Sequence, residues 1–192
     1  MTIAMTTAGH AKNYFEIFGV PEFYDLDLAE LSSRFRKLQS AIHPDKYASA
    51  SDMERRLSVQ KSALINEAYL ALKSPLERAR YMLKLRGIDL SNETSTAMAP
   101  EFLMQQMELR EELEQVKQSE EPLLSLEEIT LKINKILEQL KNTVSDLFAD
   151  ENADLEKIAD FVRRMQFICK LKQEVELLEE ELVWLFKYIT HI

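Results

Sequence analysis

Turn-forming and chemically reactive residues are scarce in this 192-residue chain, which has three glycines, five prolines, one cysteine and three histidines. Strands joined by tight turns need glycine and proline, so their scarcity points to long helices with few connections. The single cysteine, Cys169, excludes an internal disulfide and any Cys-x-x-Cys pair. It falls on an apolar-periodic stretch, which suits a packed thiol better than a reactive one. A reducing compartment is consistent with this, and a cytoplasmic location is expected. His10, His43 and His191 are dispersed, none beside a nucleophile, and no glycine-rich phosphate loop exists. No catalytic residue, cofactor or metal is therefore expected, and the Glu-rich helices read as solvated faces. The first 12 residues lack the composition of a signal or transit peptide. No apolar run approaches the roughly 20 residues that span a bilayer, so no membrane association is expected.

Charge is unevenly shared. The net charge of −9 divides into +2 for residues 1–90 and −11 for residues 91–192. A strongly acidic half argues against nucleic acid as a partner, because phosphate contacts need clustered positive charge. The hydrophobic fraction of 46% supports a packed core.

Hydrophobic spacing predicts an all-α chain. Residues 1–12 read as a tail, and Asn13 to Phe18 as a short helix stopped by Gly19-Val20-Pro21. Asp27 is a candidate N-cap for a helix with Leu28, Leu31, Phe35, Leu38 and Ile42 on one face, ending at His43 before Pro44. A loop to about Ala50 precedes a third helix from Asp52 to Lys73, with Leu57, Leu64, Ile65, Ala68, Tyr69 and Leu72 expected inward. Ser74-Pro75 opens a fourth helix, which Gly87 ends. Residues 88–99, rich in Ser, Thr, Asn and Ala, form a connection between domains 13–87 and 100–192. In the second domain Pro100 and Pro122 open two helices, and a long third begins near Ala153. From Ile168 that helix alternates apolar residues at spacings of three and four, and three such helices close as a bundle.

His43-Pro44-Asp45 stands between two amphipathic helices. Alone it reads as a turn with an Asx-type side-chain bond. Its setting adds Arg34 and Lys37, three apart on the preceding helix, with Arg36 further round and Lys46 just beyond. This basic flank is either a solvated face or, beside a rigidly presented carboxylate, a docking surface for an acidic partner.

With Ile65-Asn66-Glu67-Ala68-Tyr69 on the following helix, the stretch Tyr14 to Leu72 resembles a J-domain. That resemblance implies binding to a DnaK-family chaperone, with His43, Pro44 and Asp45 as the loop that stimulates its ATPase. Arg34, Arg36, Lys37 and Lys46 match the family's basic contact region.

The helix from Pro100 carries a second stripe. Phe102, Leu109, Leu113 and Val116 share a face about 60° wide, while Leu103, Met104 and Met107 lie opposite among Glu108, Glu111, Glu114 and Gln115. The second stripe is either buried, scattered on the surface, or a binding patch built on flexible methionines. On the last helix Phe167 points roughly opposite the core side of Ile158, Val162, Met165 and Cys169, and reads as an exposed patch member.

The segment Phe102 to Leu113 (FLMQQMELREEL) is similar to HscB, the J-type co-chaperone family of iron–sulfur cluster biogenesis, and the resemblance extends over nearly the whole length. It implies that the bundle binds the cluster scaffold IscU and that the J-domain acts on the specialised chaperone HscA. Leu103, Met104, Met107, Glu108, Glu111 and Phe167 match the scaffold contacts by position. Gln115 replaces an expected acidic residue, and the tail Trp184 to Ile192 runs past the usual family end. Two other readings stand: a J-domain co-chaperone for another client, and a second half that is mainly an oligomerising coiled coil.

Overall fold

In the N-terminal part, short polar motifs fix where helices begin, and glycines end the first and the fourth. The computed structural model describes residues 12–42, 51–92 and 99–189, and all regular structure there is helical. Helix α1, Tyr14–Phe18, starts in a capping box: Glu16 N–H donates to Asn13 Oδ1 at 2.8 Å, and Asn13 N–H donates to Glu16 Oε2 at 3.0 Å. Gly19, with φ 64°, ends it. Val20 N–H reaches back to the Phe15 carbonyl and Gly19 N–H to that of Glu16, a left-handed cap that only glycine adopts without strain.

Helix α2, Leu28–Ile42, is capped by Asp27, whose Oδ1 accepts from Ala29 and Glu30 N–H. Helix α3, Asp52–Lys73, opens in a second capping box, between Ser51 and Glu54. The two run antiparallel, since Ser32 bonds to Tyr69 near one end of the pair and Gln39 to Asn66 further along. Leu31 and Ile42 meet the buried Ser58, Ile65, Ala68 and Leu72 of α3, and α1 closes on both helices with Phe15 and Phe18.

Leu57 and Leu64, expected inward, are exposed. At about 100° per residue they sit 65–85° to one side of the buried stripe. The small Ser58 occupies the stripe in place of Leu57, and its hydroxyl bonds to the Arg55 carbonyl. Leu28 is likewise exposed.

Helix α4, Pro75–Leu85, begins with Glu77 N–H on Ser74 Oγ and ends at Gly87, φ 94°. Packing divides the chain into two units between Arg78 and Ala79, within α4. In the first unit Arg78 is buried, donating to the Leu72 carbonyl at 2.6 Å and lying 5.1 Å from the Tyr24 ring. Desolvation lowers its pKa, against the opposing influence of Tyr24 and Asp25.

The second unit contains a three-helix bundle. Helices α5 (Pro100–Val116), α6 (Pro122–Ala149) and α7 (Leu155–Ile189) follow a short 3-10 turn at Leu90–Asn92. Successive helices are antiparallel. Lys132 pairs with Glu112 and Ser119 Oγ meets Ser125 Oγ, both at 2.8 Å, between α5 and α6; Lys172 donates to Asn134 at 3.0 Å between α7 and α6. The seam is built from Leu126, Ile129, Ile133, Leu137, Leu140 and Val144 of α6 against Ile158, Val162, Met165, Ile168, Leu171, Val175, Leu178 and Leu182 of α7. Leu113, Ile136, Leu147 and Cys169, expected in the core, are half-buried at its margins.

Ile133 is 1% exposed at mid-seam, whereas Leu131 on the same helix faces solvent. Ile133→Ala is expected to cost about 2–5 kcal/mol in chemical denaturation and Leu131→Ala less than about 0.5 kcal/mol.

Candidate partner-binding surfaces

The loop residues His43, Pro44, Asp45 and Lys46 lie outside the described residues, but both of their anchors are described. Ile42 ends α2 with its side chain buried, and Ser51 starts α3. The Ser51 backbone N–H and hydroxyl each donate to the Glu54 carboxylate, at 2.9 and 2.8 Å, which holds the Glu54 pKa below its ordinary value.

The helix pair that carries the loop is clamped by the Ile65 to Tyr69 motif. Ile65 and Ala68 are buried. Asn66 accepts from Gln39 at 2.6 Å, Glu67 accepts from Tyr14 Oη at 2.6 Å, and Tyr69 stacks on Phe35 with centroids 4.0 Å apart. The motif is thus a joint between α1, α2 and α3.

The expected basic flank divides. Arg34 Nη1 donates to the carbonyls of Phe18 and Gly19 at 2.9 and 3.0 Å, and Nε and Nη2 both donate to Glu30. Four bonds tie this guanidinium into the α1–α2 junction. A Cβ on Gly19 would stand 3.0 Å from Nη1, so the glycine serves this approach as well as its own φ. Arg36 and Lys37 are exposed, and no ion pair involving either is found among the described residues. The open positive charge on α2 is theirs.

On α5 the second stripe faces solvent. Leu103, Met104 and Met107 are 45%, 63% and 62% exposed, and Glu108 and Glu111 beside them are exposed too. A helix buried on both sides is excluded. Gln115 is exposed further along, where it borders a groove between α5 and α6 with Glu112, Glu128 and Lys132.

Phe167 is half-buried, not exposed as expected. Its ring meets Phe102 of α5 edge-on, with centroids 6.0 Å apart and planes at 82°, and the Arg110 guanidinium lies 5.5 Å from it. The helical wheel sets Phe167 opposite Ile158, Val162, Met165 and Cys169, but α5 approaches from that side. Arg110 also reaches Glu174 at 3.5 Å, and Arg164 lies 5.3 Å from Phe102 and 5.0 Å from Phe161. This ladder of rings and guanidiniums between α5 and α7 went unread in the sequence. Its one visible signal is that Arg110 is the sole cation of α5. Among the described residues no helix is long and apolar enough to cross a membrane.

A J-type hairpin followed by a helical bundle defines a class of two-part, all-helical co-chaperones, and solved structures share the arrangement. One is similar at TM-score 0.80 and 42% identity, covering 89% of this chain and 99% of the other: the chaperone HscB from Vibrio cholerae. The human co-chaperone HscB is similar at TM-score 0.82 and 27% identity, covering 92% and 86%. Residues 98–176 match the family model described as the HSCB C-terminal oligomerisation domain. A co-chaperone protein HscB homolog from Vibrio vulnificus is 44% identical over 88% of this chain and 98% of its own length, and one from Vibrio atlanticus is 47% identical over 89% and 99%. The chain belongs to the HscB co-chaperone family.

The Arg34 tie at the α1–α2 junction and the start of α3 are separately testable. Arg34→Gln is expected to lower the stability of the N-terminal unit by about 1–3 kcal/mol in urea, because bonds to a charged group are lost, while Arg36→Gln and Lys37→Gln stay within about 0.5 kcal/mol. A carboxylate with a depressed pKa contributes stability that is full above its ordinary pKa and lost as pH falls through the lowered one. The start of α3 is therefore expected to fray in acid, read from the amide shifts of Glu54 and Arg55; Ser51→Ala, which keeps the backbone donor, should only weaken that transition, and Glu54→Gln should remove it.

Proposed function

We propose that this chain stimulates the ATPase of a DnaK-family chaperone of the HscA type and delivers to it an iron–sulfur cluster scaffold of the IscU type, in the cytoplasm. The ATP chemistry belongs to the partner, and this chain supplies two docking surfaces. His43, Pro44 and Asp45 engage the chaperone, with Arg36, Lys37 and Lys46 supplying positive charge and Arg34 holding the hairpin. Leu103, Met104, Met107, Glu108 and Glu111 receive the scaffold, with Phe167 at their flank. The observation that carries the second assignment is the solvent-facing apolar stripe of α5, opposite its buried face and bordered by carboxylates. Such a surface suits a partner with apolar side chains and a basic rim. The family model's description favours a second reading alongside the first, that the C-terminal bundle also associates with itself.

Because the two surfaces lie on different units, mutation is expected to separate their activities. Asp45→Ala should abolish stimulation of the chaperone ATPase in a folded protein, since losing one partner of a desolvated ion pair costs about 2–5 kcal/mol. Met104→Ala with Met107→Ala should weaken scaffold binding at least about tenfold by calorimetry, with stimulation by the co-chaperone alone unchanged. Both methionines are exposed, so the melting temperature should hold. Unchanged scaffold affinity would refute the α5 assignment, and normal stimulation by Asp45→Ala would refute the loop assignment.

A further inference from the structure

Helices α5 and α7 run parallel at a fixed offset. Arg110 reaches Glu174 at 3.5 Å and Lys117 reaches Glu181 at 2.8 Å, and both pairs are 64 residues apart in the chain. The same offset sets Leu113 level with Leu177, between the two bridges and about one turn from each. These two leucines and Leu178 line a groove of about 460 Å³, whose other lining residues are Glu114, Lys117, Glu174 and Glu181.

Leu178 is buried and Leu113 half-buried, but Leu177 is 66% exposed, the most exposed leucine among the described residues. The bridges engage Glu174 and Glu181, whereas Glu114 is exposed and no ion pair involving it is found among the described residues. The result is an apolar slot closed at each end by a salt bridge, with a free carboxylate at its edge. Glu114 also joins the slot to the solvent-facing stripe of α5. At about 100° per residue it falls between Leu103 and Met107 on the helix wheel, about 10 Å further along the axis than Met107.

We propose that this slot is a second anchor for the scaffold that the α5 stripe receives. It takes one apolar side chain of the scaffold against Leu113 and Leu177, with a neighbouring lysine or arginine of the scaffold on Glu114. The inference rests on the reading of α5 as the scaffold surface and extends that surface onto α7. Two observations select this occupant. The slot continues the stripe, and about 10 Å is two turns of helix, so a single segment of the partner spans both. The lining carries three carboxylates against one ammonium, Lys117. That balance suits the basic rim already required of the scaffold, and it opposes both a second copy of this acidic half and an anionic membrane surface.

The test uses the intact chain and a purified IscU-type scaffold in calorimetry. Leu177→Ala should weaken scaffold binding about five- to tenfold, the loss of one apolar anchor, while Leu177→Met should bind as the parent does. Glu114→Gln should weaken binding about threefold at low salt, with the difference from the parent vanishing at high salt. Leu131→Ala, at an exposed leucine of α6, should leave the affinity unchanged. Stimulation of the chaperone ATPase by the co-chaperone alone should hold in every variant, as should the melting temperature. Unchanged affinity in Leu177→Ala, beside a loss in Met104→Ala with Met107→Ala, overturns the slot and leaves the α5 assignment standing. Unchanged affinity in both overturns both. A large fall in the melting temperature of Leu177→Ala overturns the proposal by placing that side chain in the bundle's own packing. If the parent alone gains mass above 22.4 kDa in sedimentation and Leu177→Ala loses that gain, the occupant is a second copy and the proposal falls.

Discussion

The seam between α6 and α7 is the contact on which the functional surface of the C-terminal unit depends. Six buried apolar residues of α6 and eight of α7 face each other along it. Each contributes on the order of 1.5–3 kcal/mol of burial, so this pair supplies most of the unit's core and satisfies itself. Helix α5 joins as a third member through only Phe102, Leu109 and Val116, spaced seven apart. A stripe that narrow leaves more than half of the helix circumference unclaimed by packing. Leu103, Met104 and Met107 can stay on the surface because α6 and α7 do not need them.

A helix held by three buried residues needs further ties, and long side chains provide them. Arg110 with Glu174 and Lys117 with Glu181 give α5 and α7 a parallel register, and the ladder of Arg164, Phe102, Phe167 and Arg110 fills the space between. A guanidinium over a ring is worth about 0.5–1 kcal/mol at an exposed site and more when desolvated. Arg164 is among the more desolvated, since its Nε is buried without a hydrogen-bond partner among the described residues, while Nη2 meets Asp160 at 2.6 Å. In this arrangement Phe167 joins the two helices and borders the α5 patch at once, so its packing and its proposed binding role are coupled.

Much of the architecture was legible in spacing. The stripes of α6 and α7, the caps at Asp27 and Ser74, and the stops at Gly19 and Gly87 all follow from local rules that a single helix obeys by itself. The misread residues depend on a third element. Arg34 and Lys37 are neighbours on a helix surface, but spacing cannot show that the Gly19 turn, 15 residues away, brings its carbonyl to one and not the other. Phe167 lies opposite Ile158, Val162 and Met165 on a wheel, and a wheel of one helix cannot announce that α5 packs on the other side. Leu57 and Leu64 failed for a related reason. A stripe read by hydrophobicity prefers leucine, whereas the α2–α3 contact admits Ser58 because its hydroxyl bonds to the Arg55 carbonyl.

The uneven charge acquires a physical sense on these surfaces. An exposed stripe of leucine and methionine attracts any apolar surface, including other copies of the same chain, since burial energy carries no direction. Glu108 and Glu111 stand beside it within a half of net charge −11, so two such stripes approach each other against electrostatic repulsion. The carboxylates therefore select the partner while the methionines hold it: a basic rim converts the same repulsion into attraction and steers the encounter. Thioether side chains suit the second task because they are flexible enough to fit a surface shaped elsewhere.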